Sequence, residues 1–242
     1  MVTCAVLDDI SNIYKADFHY TIILYPGVEN YEILQKVVEP MINELHNLVT
    51  NGLIDSNGIK WRIEPYFSSD LKFLTIILGF NAANANYFCP WCLCMKKDIG
   101  NKEKAYKIEK NMEQLQTPNP PPGHLKVPLL PMIPLNNYVP DELHVMLRIW
   151  NFSMVSFLAR SRNTKLGLYI INGYDMKIPG TNPTQFSNQA KQWLDLFLTP
   201  SQGEPNTTIF KMGLYHPKDV TPYIHVLIHH LPEFMEQHQQ LD

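Results

Sequence analysis

Residues 68–94 read SSDLKFLTIILGFNAANANYFCPWCLC, and the fold of the whole chain turns on how this stretch is interpreted. An acid, Asp70, stands at the mouth of a nearly all-apolar segment, residues 71–80, which reads as a short helix. A polar loop rich in Asn and Ala then leads into a Cys-x-x-Cys pair, Cys89 and Cys92. One carboxylate at a strand end has a plain role as helix N-cap, because Asp is among the best caps. The thiol pair can be half of a metal site or a redox couple. A redox couple needs its first Cys exposed at a helix N-terminus directly after a strand, whereas this pair follows a loop and encloses Pro and Trp, which favours a metal knuckle.

Upstream, residues 2–7 are short, apolar and β-prone, and residues 18–25 are β-branched and aromatic up to the turn signal Pro26-Gly27. These two runs predict an antiparallel pair, with Asp8, Asp9 and Asp17 in the turn between them. Ile33, Leu34, Val37, Val38, Met41, Ile42, Leu45, Leu48 and Val49 form the stripe of an amphipathic helix over 30–49, closed at Asn51-Gly52. After a polar turn at 55–58, residues 59–67 alternate Trp61, Ile63, Pro65 and Phe67, and Pro65 marks an edge or an end of that strand. The order predicts a mixed sheet with a helix on its face and Asp70 at the carboxyl end of a strand, where ligand sites in open α/β sheets lie.

Downstream, residues 96–110 are charged and residues 117–134 are dense in proline, including Pro120-Pro121-Pro122-Gly123, which excludes regular structure there. A helical pattern starts at Pro140 with Asp141 and Glu142 in its first turn and runs through Trp150 to Leu158. Residues 166–178 read as extended, 188–198 as amphipathic, 200–205 as loop, and 220–238 as a final helical region interrupted near Pro232. There are no internal repeats. The expected organisation is residues 1–95 as an α/β core with the thiol pair, 96–139 as a charged and Pro-rich connection, and 140–242 as a helical segment that packs back on the core.

The chain has 242 residues, 45% of them hydrophobic, and a formal net charge of −3, so it lacks the basic surplus of a strong nucleic-acid binder. Arg148, Arg160, Arg162 and Lys165 are a thin cationic footprint that reads first as a solvated face. Four Cys, three of them within residues 89–94, and no signal peptide suggest a reducing, intracellular setting and metal binding rather than disulfides. No apolar run reaches membrane-spanning length.

Zinc takes four N or S ligands in a tetrahedron, and near the C-terminus the segment VTPYIHVLIHHLPE offers three imidazoles, His225, His229 and His230. Helical periodicity places 225 and 229 on one face and turns 230 away. From spacing alone the partner of His225 stays open, and Cys94 is a spare thiol beside Cys92.

Residues 19–92 resemble the central part of the catalytic core of the vertebrate V(D)J recombinase and the related Transib-type transposases. Asp70 precedes Cys89 at the interval that separates that family's second catalytic Asp from its first zinc Cys. Cys89-Pro-Trp-Cys92 falls on the family's C-x-x-C, Asp141-Glu-Leu-His144 looks like its D-x-L-H segment, and Val220-Thr-Pro-Tyr-Ile-His225 through His230-Leu-Pro-Glu233 is similar to its zinc His pair. The resemblance implies a zinc site of Cys89, Cys92, His225 and His230, and an incomplete ribonuclease H-like mixed sheet with a helical, zinc-clamped insertion. It implies Asp70 as one of three catalytic acids holding Mg or Mn, His144 as an active-site residue, DNA as partner through Arg148, Arg160 and Arg162, a homodimer, and a nuclear location. The family's first Asp and final Glu have no counterpart in this sequence. The expectation is therefore a transposase or recombinase core that is catalytically incomplete, the alternative being a non-catalytic zinc-stabilised module that binds DNA or protein.

Overall fold

The computed structural model describes residues 2–7, 11, 12, 15–141, 145, 182–200, 202, 203 and 220–238. Strand β1 (Val2–Cys4) pairs antiparallel with β2 (Tyr20–Ile23), as their β-branched composition predicts, although both are shorter than expected. A short 3-10 turn, Ala16–Phe18, takes Asp17 out of any strand, while Asp8 and Asp9 lie outside the described residues. Helix α1 (Tyr31–Asn51) starts on Asn30, whose Oδ1 accepts from Ile33 N–H at 2.9 Å. It ends on Gly52, where φ is +72° and a Cβ would lie 2.4 Å from the Trp61 carbonyl. Of its apolar stripe, Leu34 and Val38 are buried, and Met41, Ile42 and Leu45 pack against the core from its edge.

The single strand expected over 59–67 is divided. Residues Leu53–Ile54 (β3) and Lys60–Trp61 (β4) form a small hairpin around the polar turn. Asp55 builds that turn by accepting from Asn57 N–H, Ile59 N–H and Trp61 Nε1–H at 2.8, 2.9 and 3.0 Å. Pro65, which has no ladder N–H to give, separates this hairpin from β5 (Phe67–Ser69). Strand β5 then pairs in parallel with β6 (Tyr138–Pro140). The described strands thus form three two-stranded sheets rather than one mixed sheet, within a mixed arrangement of helices and strands.

Pro140 is correspondingly the last residue of β6 and not the first of a helix. Asp141 N–H donates to the Ser69 carbonyl at 2.7 Å, and the Asp141 carbonyl accepts from Val145 N–H at 3.0 Å. Apart from Val145, the rest of the helix expected through Leu158, with His144 and Arg148, lies outside the described residues, as do Arg160, Arg162, Lys165 and the extended segment 166–178.

Directly after β5, Asp70 caps α2 (Leu71–Ile77) by accepting from Lys72 and Phe73 N–H at 2.9 and 3.1 Å. Helix α2 is buried on most sides because the Pro-rich segment wraps it. Leu129 N–H donates to the Ile77 carbonyl and Leu125 N–H to the Gly79 carbonyl, both at 2.8 Å, and Leu129, Leu130 and Ile133 enter the core. Gly79 is required at this crossing: its φ is +63°, and a Cβ would stand 2.3 Å from the Lys126 carbonyl. The proline-dense stretch is therefore an ordered cover with a core face. Just before it, α3 (Met112–Leu115) is a single helical turn that the sequence did not announce, closed by a capping box between Asn111 and Gln114.

Helix α4 (Pro183–Phe197) confirms the amphipathic segment and extends it toward the N-terminus. Helix α5 (Pro222–His225), a wide turn over Val226–His230, and helix α6 (Leu231–His238) are the last of the described elements. One continuous core joins Leu74 and Ile77 of α2 to Trp91 of the knuckle and to Ile224, Leu227 and Phe234 of the C-terminal helices.

His124 is buried in the Pro-rich cover, with its ring edge against Phe80 at 4.4 Å between centroids. Burial, reinforced by the nearby Lys110 charge, holds its pKa down at about 4 from an ordinary 6.5. The folded state therefore disfavours the imidazolium. Its contribution is complete above pH 6.5 and is lost as the pH falls from 6.5 toward 4, where the unfolded chain takes up the proton first. The expected loss is about 3 kcal/mol over that interval. Urea unfolding at stepped pH should show it as the difference between wild type and His124→Leu, and equal pH slopes for the two proteins would refute it.

Candidate metal centre

The knuckle 89–92 is held from below by backbone and side-chain bonds. The Trp91 carbonyl accepts from Glu109 and Lys110 N–H, both at 3.1 Å, and Leu93 N–H donates to Glu109 Oε1 at 2.6 Å. Lys110 is 4% exposed, and its ammonium donates to the Cys89 carbonyl at 2.9 Å while resting 4.6 Å above the Phe80 ring. Burial lowers its pKa to about 8, against the pull of the two sulfurs. Trp91 is fully enclosed, 5.6 Å from the His230 ring and 5.4 Å from Phe234 between centroids.

The C-terminal half reaches this knuckle by an irregular turn. On a regular helix, side chains five apart diverge by about 140°, which is why periodicity favoured His225 with His229. Here Val226–His230 is a π-helical turn, closed by Leu231 N–H donating to the Val226 carbonyl five residues back. Widening the turn by one residue swings His225 and His230 to the same side. The interruption is thus at 226–230 and not at Pro232, which lies inside α6. Pro232 still has a part in it, since without an N–H it cannot complete an ordinary helical bond to the Ile228 carbonyl.

As a result, the ligand atoms of Cys89, Cys92, His225 and His230 all lie within 4.8 Å of one another, and all four residues are buried. Cys89 Sγ stands 3.2 Å from His230 Nε2, and Cys92 Sγ stands 3.3 Å from His225 Nε2. Tetrahedral zinc with ordinary Zn–S and Zn–N bonds needs sulfur–nitrogen edges of roughly 3.5 Å, so a shift of a few tenths of an ångström would admit the ion. Two thiols, two imidazoles and no exposed surface fit a closed structural site for such a metal, with all four positions taken by protein.

Electrostatics support the same chemistry. Burial opposes a charge on Cys89, but a hydrogen bond from Cys92 and the His230 imidazolium outweigh it and hold the Cys89 thiol well below its ordinary value. Cys92 is raised, first by sharing its proton with Cys89 and then by burial. Burial works against His230 as well, yet the Cys89 thiolate and Glu233 lift it to about 9. Zinc binds thiolates and neutral imidazoles, so a cation that enters the cluster must displace protons from it. His225, which has no carboxylate partner, is lowered by burial.

His229 falls outside the group. Its ring packs against Tyr106 and His225, and burial and the two flanking imidazoles hold its pKa at about 3. Cys94 is buried, pushed up to about 12 by burial, and touches the site only through its N–H, which donates to Cys92 Sγ at 3.4 Å. Neither thiol of the pair begins a helix after a strand, as a redox couple would need.

Asp70 takes no part in this group. Its Oδ1 caps α2, and among the described residues the Cys89–Cys92–His225–His230 set is the only cluster of three or more metal-ligating side chains. His144, Arg148, Arg160 and Arg162 lie outside the described residues. Three residues that shape the site were not assigned a role from sequence: Lys110, Tyr106 and Glu233. Glu233 alone had a signal, its i+3 spacing from His230 on a helix. No helix among the described residues is long and apolar enough to cross a membrane. The chain matches no family model, no curated protein and no solved structure.

Proposed function

We propose that Cys89, Cys92, His225 and His230 hold a structural zinc ion, and that the chain is the zinc-clamped part of a DDE-type DNA transposase or recombinase core, catalytically incomplete by itself. The observation that carries the reading is the convergence of two remote ligand pairs on one buried point, in the pairing implied by the resemblance. Bound there, zinc supplies a cross-link rather than a reaction, because four protein ligands leave no open position for water or substrate. An antiparallel pair, a helix, and a parallel pair with Asp70 at the carboxyl end of β5 are compatible with an incomplete ribonuclease H-like core.

The role of Asp70 as the α2 cap, made through Oδ1 alone, needs no metal and supports a second reading, a non-catalytic module that binds DNA or a transposase subunit. Two-metal phosphoryl transfer needs several converging carboxylates. The zinc-loaded chain is expected to leave supercoiled and linear DNA intact in Mg²⁺ or Mn²⁺. Asp70→Ala should leave any DNA affinity unchanged and cost about 1 kcal/mol of stability through the lost cap. Metal-dependent cleavage abolished by Asp70→Ala would overturn the incomplete-core reading and make the chain an enzyme.

A further inference from the structure

Glu233 lies one helical turn beyond His230, and its Oε2 is 3.2 Å from His230 Nδ1. The same oxygen accepts from Ile108 N–H at 3.0 Å, which fixes the carboxylate from the opposite side. A neutral imidazole carries one proton, and an acceptor at one nitrogen places the proton there and leaves the lone pair on the other. His230 is fully enclosed, so water cannot take over the role of that acceptor. With Nδ1 bonded to Glu233, Nε2 is the atom that faces Cys89 Sγ, at 3.2 Å, and the one that a metal would take.

The two imidazoles are unequal in this respect. His225 Nδ1 is buried and has no hydrogen-bond partner, so its ring is oriented by the Nε2 contact with Cys92 Sγ and by packing on neighbouring rings such as Phe88 and Tyr106. A ligating His225 would therefore carry an unpaired buried N–H, a cost that His230 does not bear. The bond to Ile108 gives Glu233 a second consequence. It ties α6 to the segment that ends at Lys110, whose ammonium supports the Cys89 carbonyl. One carboxylate thus connects the histidine half of the site to the cysteine half.

We infer that Glu233 is a positioning residue of the metal centre, selecting the His230 tautomer that presents Nε2 to the ion and registering α6 against the segment under the knuckle. This rests on the metal reading above, and a first measurement separates the two. Wild-type chain without stoichiometric zinc would overturn that reading before any variant is made.

The test is zinc affinity by chelator competition, together with the imidazole proton spectrum of the zinc-loaded, ¹⁵N-labelled chain. Glu233→Ala should weaken zinc binding about 10- to 100-fold. It should also abolish the slowly exchanging His230 Nδ1 proton signal, which a loss of packing alone would not move. Glu233→Gln keeps one acceptor oxygen for both bonds and should retain the signal, with affinity within about threefold of wild type. Glu233→Asp withdraws the oxygen by one methylene and should fall between the two, which keeps the question answerable if the alanine variant does not fold. Zinc affinity of Glu233→Ala within about twofold of wild type, survival of the proton signal in it, or a glutamine variant as weak as alanine would each overturn the inference.

Discussion

Removing the metal should lower the unfolding midpoint of this chain by roughly 8–16 °C, and Cys89→Ser or His230→Ala should reproduce that loss without a chelator. The magnitude follows from linkage. Free zinc at a thousand times its dissociation constant stabilises the folded state by about 4 kcal/mol, and each kcal/mol moves the midpoint of a domain of this size by about 2–4 °C. The molecular cause is the position of the ligands. Cys89 and Cys92 lie between α2 and the Pro-rich cover, whereas His225 and His230 lie on the C-terminal helices, and the core between them is shared. Losing one ligand leaves three buried polar groups facing a fourth position that cannot be hydrated. A chelator-induced shift of less than about 2 °C, measured by calorimetry, would show that packing alone holds the two ends together.

Trp91→Ala should cost about 3–5 kcal/mol, the range for deleting a fully buried aromatic side chain. Trp91 is 0% exposed and sits between the ligand His230 and Phe234, so the cavity opens against the metal centre itself. The substitution should therefore weaken zinc binding as well as lower the urea midpoint. Trp91 Nε1 has no hydrogen-bond partner in its buried position. Trp91→Phe removes that unpaired N–H while keeping a ring on His230, and its cost should stay below about 1.5 kcal/mol. Equal penalties for Phe and Ala would indicate that the indole serves a purpose other than filling this space.

The knuckle was legible because metal chemistry restricts residue type and spacing far more tightly than packing does. Cys89-Pro-Trp-Cys92 was legible from its spacing as half of a metal site, whereas the pairing with His225 and His230 was only what the resemblance implied. Periodicity pointed to His229 because it assumes 3.6 residues per turn throughout, and a π-helical turn is a local departure that no apolar stripe encodes. Helix α1 was readable from its stripe, its Asn30 cap and Gly52. Strands β3 and β6 were not, since two or three residues cannot display an alternation and their pairing depends on partners far along the chain. Lys110 illustrates the same limit from the other side: a lysine in a charged run reads as solvated, and only the fold reveals that its ammonium lies under the knuckle at 4% exposure.

The metal cross-link itself is most directly tested by X-ray absorption at the zinc edge of the purified chain. Two sulfur scatterers at about 2.3 Å and two nitrogens at about 2.0–2.1 Å are predicted, with one sulfur lost in Cys92→Ser and one nitrogen in His225→Ala. A shell of oxygen ligands, or a Cys-only shell unchanged by His225→Ala and His230→Ala, would contradict the joining of the knuckle to the C-terminal helices through one ion.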